Sequence, residues 1–206
     1  MSSSKSDQLV QRAMQLFYRQ GFHATGVDQL SREGELTKKT LYRYFPTKEA
    51  LVLAALRWRH EELMSRIHAQ LHTLAPAERP LAYLDFIAAW VREPDFCGCA
   101  FINAAAEYPD AAESAHAIAA EHKQTLRNYL EQLCQQAGLA EPARKAAGLF
   151  LLGEGLTVAA QVSGADASLH ALARAQAQAL LNGAADAASA PAKRSRAKPA
   201  APRRPA

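Results

Sequence analysis

Between its glycines and prolines the chain repeats its apolar residues at intervals of three and four, and nowhere do β-branched residues alternate with polar ones. That pattern fits helices and leaves no segment that reads as a strand. Gly and Pro number ten each and fall mostly between the periodic runs, where they act as punctuation. The expectation is an all-α chain of about nine helices. With 206 residues, 49% hydrophobic and 21% charged, the chain suits one compact unit or a small domain joined to a larger one, and a collagen-like or wholly disordered chain is excluded.

Leu9, Ala13, Leu16 and Phe17 line one face of a first helix that stops at Gly21, read as a left-handed cap. Thr25 and Asp28 resemble a capping box opening a short second helix, with Val27 and Leu30 inward, that runs out near Glu33-Gly34-Glu35. Thr37 caps a third helix in which Leu41 and Phe45 face inward, and Pro46 closes it. Thr47 caps a fourth whose apolar positions, from Leu51 through Trp58 to Leu74, imply about 25 residues, long enough to link two domains. Further helices are expected at about 78–93, 98–107, 110–137, 142–163 and 167–183, with Pro142 in a first turn and Asp166 as a cap. Beyond Ala187 no large apolar residue remains, so 187–206 is expected to be a disordered basic tail.

Charge is distributed unevenly. Residues 1–60 hold 10 basic and 5 acidic side chains, 61–186 hold 8 and 15, and 187–206 hold 6 and none, so the segments carry +5, −7 and +6. A basic front end ahead of an acidic middle suits a chain whose front meets a polyanion. Three cysteines, Cys97, Cys99 and Cys134, are too few for a disulfide-stapled secreted domain, the N-terminus lacks the apolar stretch of a signal peptide, and the most apolar run, Ala146 to Val162, contains Glu154. A cytoplasmic protein with no membrane partner is expected.

The second and third helices, joined by a tight Gly-bearing turn, have the plan of a helix-turn-helix, with a cationic face on the third helix backed by Leu41 and Phe45. Ammonium groups and hydroxyls near a helix N-terminus can reach phosphate oxygens and base edges together, so double-stranded DNA is the expected partner. The run from Thr37 through Lys38, Lys39, Thr40, Leu41, Tyr42, Arg43, Tyr44, Phe45, Pro46, Thr47 and Lys48 to Leu51 resembles the recognition helix and linker of TetR-type repressors. Ala13 to Phe22 and Thr25-Gly26-Val27 are similar to that family's first helix and the start of its second. By that resemblance Thr40 and Tyr42 reach bases or nearby phosphates, Lys38, Lys39, Tyr44 and Lys48 reach the backbone, and Thr25, Thr37 and Arg43 add contacts. Two positions depart from the family pattern: Glu35 stands where a Gly is usual, with Gly34 one place earlier, and Lys39 stands where Gly is frequent.

The resemblance further implies three units: a DNA-binding domain at 1–48, a helical ligand-binding and dimerisation domain at 49–186, and the tail. The run Gly98-Cys99-Ala100-Phe101-Ile102-Asn103-Ala104 is similar to the sixth helix of one subgroup of these regulators. Cys99, Phe101, Ile102, Asn103 and Glu107 are its groups large enough to line a cavity, and Phe86 and Trp90, four apart on the preceding helix, could form the opposite wall around a small aromatic or amphipathic inducer. The last two helices are rich in Ala and Gly, with Leu149, Leu152, Leu156, Leu172 and Leu180 as knobs for a homodimer interface and hence a near-palindromic operator.

Cys97 and Cys99, as C-x-C with no His or second cysteine pair nearby, make a poor zinc site and are read as small buried hydrophobes; no cofactor or metal is expected. Two other readings stay open on the residues alone. One is a small all-α enzyme using Glu107 with His116 or Cys99, although no nucleophile, base and orienting group occur at a known spacing. The other is a nonspecific nucleic-acid binder driven by the basic tail.

Overall fold

A computed structural model describes residues 4–183. The tail expected at 187–206 lies outside the described residues, as do the last three positions of the expected 49–186 unit. Nine helices and no strand occur among the described residues: α1 (Lys5–Gln20), α2 (Val27–Glu33), α3 (Lys38–Tyr44), α4 (Lys48–Leu71), α5 (Arg79–Trp90), α6 (Ala100–Glu107), α7 (Ser114–Gln136), α8 (Pro142–Ser163) and α9 (Ala167–Leu181).

Local chemistry sets most of these boundaries. Thr37, Thr47 and Asp166 each accept backbone N–H bonds as N-caps, from Thr40, from Ala50, and from Ser168 and Leu169. α7 starts later than the apolar pattern suggests because Asp110 is spent on a turn, its carboxylate accepting from Ala112 N at 2.9 Å. α4 stops before Leu74, where Thr73 Oγ1 donates back to the Gln70 carbonyl at 2.7 Å and Pro76 follows.

Two expected caps take another form. The α2 N-cap is Gly26 with no side-chain bond, because the Thr25 hydroxyl turns inward to donate to the Gly21 carbonyl at 2.7 Å. Gly21 does adopt positive φ, +93°, but with an extended ψ of 155°, so it redirects the chain rather than forming a left-handed helical cap.

One apolar core runs from Leu9 in α1 to Leu181 in α9 without a break between the front helices and the body. α4 is the spine, packing on α1 at one end and on α7 further along, while α8 lies against α5, α7 and α9. Small residues set the close approaches. A Cβ at Gly153 would lie 2.5 Å from Tyr83 Oη of α5, and one at Gly148 would lie 2.3 Å from Leu180 Cδ2 of α9. α8 is long and apolar enough to cross a membrane by length and composition, yet its inner face packs in this core, and its buried Lys145 donates to the Leu181 carbonyl at the end of α9 at 2.7 Å.

Candidate nucleic-acid interface

α3 has only seven residues, too few to persist alone. It is seated by Leu41, fully buried, and by the Thr37 cap, while in the same core Phe17 and Phe22 stack at 5.4 Å between ring centroids and Leu30 anchors α2. Its outer surface carries Thr37, Lys38, Lys39, Tyr42 and Arg43, all exposed, with Thr40 and Tyr44 half-buried at its edges. Tyr42 stands 45% exposed.

Two of these cations are already oriented. Lys38 forms an ion pair with Asp28 of α2, and the hydrogen bond and charge of that carboxylate raise its pKa. The Arg43 guanidinium lies over the Tyr44 ring, 5.4 Å from its centroid. Lys48, in the first turn of α4, donates to the His23 carbonyl at 3.0 Å and so ties α4 to the α1–α2 turn, leaving two N–H groups for an outside acceptor. Thr25 is corrected here: it is fully buried and its hydroxyl is satisfied within the fold, so it cannot touch DNA.

At the α2–α3 turn Gly34 and Glu35 take different backbones. Gly34 keeps a helical backbone at φ −75°, and a Cβ there would come within 2.9 Å of both the Leu30 carbonyl and Leu9 Cδ1. Glu35 then takes the left-handed conformation at φ +52°, which a Gly would adopt freely, and its carboxylate meets Arg12 at 3.1 Å.

Residues read as cavity lining divide into two groups. Phe86, Trp90 and Cys99 border a small cavity shared with Tyr83, Lys123 and Glu154. Phe101 is buried but stacks on the His122 ring at 3.7 Å, and Ile102 is half-buried against the core. Asn103 is spent on hydrogen bonds to the Cys97 carbonyl (3.2 Å) and from Gln161 (2.9 Å).

Glu107 points away from that void altogether. Its carboxylate accepts from the backbone N–H of Phe22 (2.9 Å) and of His23 (2.7 Å), with His23 Nδ1 at 3.3 Å, and it occupies the space a Cβ on Gly21 would need. Tyr108 adds its ring against His23, 4.5 Å between centroids. Tyr18 of α1 makes a second bridge, donating to the Gly98 carbonyl at 2.5 Å and accepting from Cys97 N at 3.0 Å. No sequence pattern announces these ties, since each joins residues about eighty positions apart. The Lys123–Glu154 pair, 31 positions apart, likewise crosses between elements, from α7 to α8.

On α8 and α9, Leu149 is fully buried inside the chain, and Leu152, Leu156 and Leu180 are partly so. The apolar groups facing outward are Leu151, Val158, Val162, Leu169 and Leu172. They form the outer surface of the α8–α9 pair.

Residues 9–55, covering α1 to the start of α4, match the family model for bacterial regulatory proteins of the tetR family. The uncharacterized HTH-type transcriptional regulator YuxN of Bacillus subtilis is 33% identical over 63 residues, which is 31% of this chain but only 22% of that relative's length. The HTH-type transcriptional regulator YjdC of Escherichia coli is 27% identical over 145 residues, covering 69% of this chain and 76% of its own. Among solved structures, a TetR-family transcriptional regulator from Streptomyces coelicolor superposes with a TM-score of 0.81 at 28% identity, over 88% of this chain and 91% of its own. These relatives are transcriptional regulators. In its matched front end, its helical fold and the cationic face of α3, the chain is similar to TetR-type helix-turn-helix transcriptional regulators.

Proposed function

We propose that the chain acts as a homodimer on a near-palindromic DNA operator, represses transcription there, and is released by a small-molecule inducer bound in its helical body. The supporting observation is the outward face of α3, where Lys38, Lys39, Tyr42 and Arg43 are exposed around a fully buried Leu41. Thr37, Thr40, Tyr44 and Lys48 flank it and complete the reading surface, with Tyr42 and Thr40 toward the bases and the cations toward phosphates. The proposed units are a reading head at 1–48 and a body beginning at 49.

Dimerisation through the outward apolar face of α8 and α9 would place the two recognition helices about 34–36 Å apart, one helical turn of DNA. Release needs an inducer that favours a different spacing, and α6 supplies the connection: Cys99 at its start borders the small cavity and Glu107 at its end holds the α1–α2 turn. We also read the Gly98–Ala104 run as marking a subgroup of these regulators, and the cytoplasm as the site of action.

The test is retention of genomic DNA by the purified protein, sequencing the bound fragments, followed by gel shifts on the recovered operator. Tyr42→Ala is expected to weaken operator binding at least tenfold while the protein stays folded and dimeric, a loss in the range of one good base contact. Unchanged retention would remove Tyr42 and the α3 face from the reading surface.

A further inference from the structure

Lined by α4, α5, α7 and α8 is a partly open cavity of about 10 Å³, room for a single water. Its lining mixes apolar side chains, Leu63, Phe86 and Trp90 among them, with Tyr83, Lys123 and Glu154. Within it one polar atom stands out. Tyr83 Oη is fully buried on a fully buried ring and has no hydrogen-bond partner among the described residues. A hydroxyl in that position has given up its hydration and received nothing in return.

Its neighbours are already satisfied. Lys123 Nζ lies 2.7 and 2.6 Å from the two Glu154 oxygens and 3.4 Å from Cys99 Sγ, so ammonium and carboxylate neutralise one another. Thr157 donates its hydroxyl to the Gly153 carbonyl at 2.8 Å. His122, behind Lys123 on α7, is uncharged near neutrality: burial, then Lys123, His60 and Arg59, push its pKa down to about 3. The void therefore offers one free donor beside a balanced ion pair.

We propose that this void is the closed form of a site for a neutral, largely aromatic ligand bearing one hydrogen-bond-accepting oxygen, and that Tyr83 donates to that oxygen. The inference rests on the ligand-responsive reading above and gives that ligand its chemistry. Charge balance decides between classes. A carboxylate would leave an excess negative charge beside the largely buried Glu154, and an ammonium would leave an excess positive charge beside Lys123; a neutral acceptor leaves the pair intact. In its closed form the void admits nothing larger than water, so the ligand binds only an expanded arrangement, and its affinity is wholly differential between the two states.

Four probes of one shape test this on the full chain: acetophenone, ethylbenzene, benzoate and benzylamine, titrated without DNA and followed by calorimetry. Acetophenone is expected to bind about tenfold tighter than ethylbenzene, the factor for one well-made neutral hydrogen bond, and tighter than either charged probe. Tyr83→Phe should reduce acetophenone to the affinity of ethylbenzene while leaving ethylbenzene binding and the melting temperature unchanged. Equal binding of acetophenone and ethylbenzene by the unaltered chain, discrimination that survives Tyr83→Phe, tighter binding of benzoate or benzylamine, or binding of none of the four would each overturn the proposal. A gel shift on the operator is run in parallel. Loss of operator binding there strikes the repressor reading and leaves the titrations standing, whereas intact operator binding with no acetophenone preference strikes the ligand chemistry alone.

Discussion

Glu35 holds a left-handed backbone at the point where α2 must turn into α3, and its side chain has only an exposed ion pair with Arg12 in return. For an L-residue that conformation costs about 1–2 kcal/mol, and an exposed pair contributes about 0–1. A β-branched residue tolerates it worst. Glu35→Val is therefore expected to lower stability by about 1–2 kcal/mol in urea titrations while Glu35→Gly stays level or gains slightly; a Val variant as stable as the parent would contradict the strain. His122 gives a pH signature. Its folded pKa of about 3 lies below the usual value of about 6.5 for an unfolded chain. Between those values the unfolded chain binds a proton that the native protein refuses, so stability rises with pH through the window and falls on acidification, by about 1.4 kcal/mol per pH unit well inside it. His122→Gln should flatten that acid loss between pH 6 and 4, and an unaltered slope would show that other groups govern it. At this scale the sequence speaks through short-range chemistry. Thr37, Thr47 and Asp166 are legible as caps because donor and acceptor lie two or three residues apart. Thr25 misleads because its hydroxyl has a competing acceptor four residues back, the Gly21 carbonyl.

α6 is an eight-residue helix with a different task at each end, and neither task is local. Its first turn is fixed by Cys99 beside the void and by Tyr18 reaching to Gly98, and its last residue, Glu107, satisfies two N–H groups of the α1–α2 turn. Removing the carboxylate strands those donors, one of them on the fully buried Phe22. Glu107→Ala is expected to destabilise the chain by about 1–3 kcal/mol. Glu107→Gln keeps one accepting oxygen and should lose less. If the tie also carries the signal, both variants bind operator more weakly, and the Gln variant, which remains folded, releases it less completely when acetophenone is added. Full release from the Gln variant would show that Glu107 only holds the head in place. The helices themselves are readable because an apolar stripe recurs every three or four residues within one segment. Glu107 is unreadable as a tie because its partners lie 84 and 85 positions away; in sequence it looks like one more polar group on a small-residue helix, which is why it reads as cavity lining.

Across the whole molecule the formal charge of +4 is a poor description, since the residues up to 60 carry +5 and those from 61 to 186 carry −7. DNA therefore attracts the α3 end and repels the body, which orients approach before any contact forms. A body that faces away from DNA is free to carry the dimer surface, and the outer side of α8 and α9 has the character of one. Leu151 and Val162 are 69% and 79% exposed, with Val158, Leu169 and Leu172 between and beside them. Exposed apolar groups gathered on two neighbouring helices mark an interaction site more often than bare solvent contact, and one self-complementary patch is what a two-fold pair requires. Leu149 has no such role, since it is consumed in the chain's own core. The distinction yields a decisive substitution. Because Leu151 and Val162 are exposed in the single chain, changing both to Asp should alter monomer stability by no more than about 0.5 kcal/mol per site. In the dimer the same change buries four carboxylates against apolar surface, a cost large enough to hold the chains apart. The double variant is expected to sediment as a folded monomer and to lose operator binding by more than a hundredfold, since each half-site then binds alone. A variant that still sediments as a dimer would exclude this face as the interface. One that becomes monomeric yet keeps its operator affinity would show that a single α3 suffices.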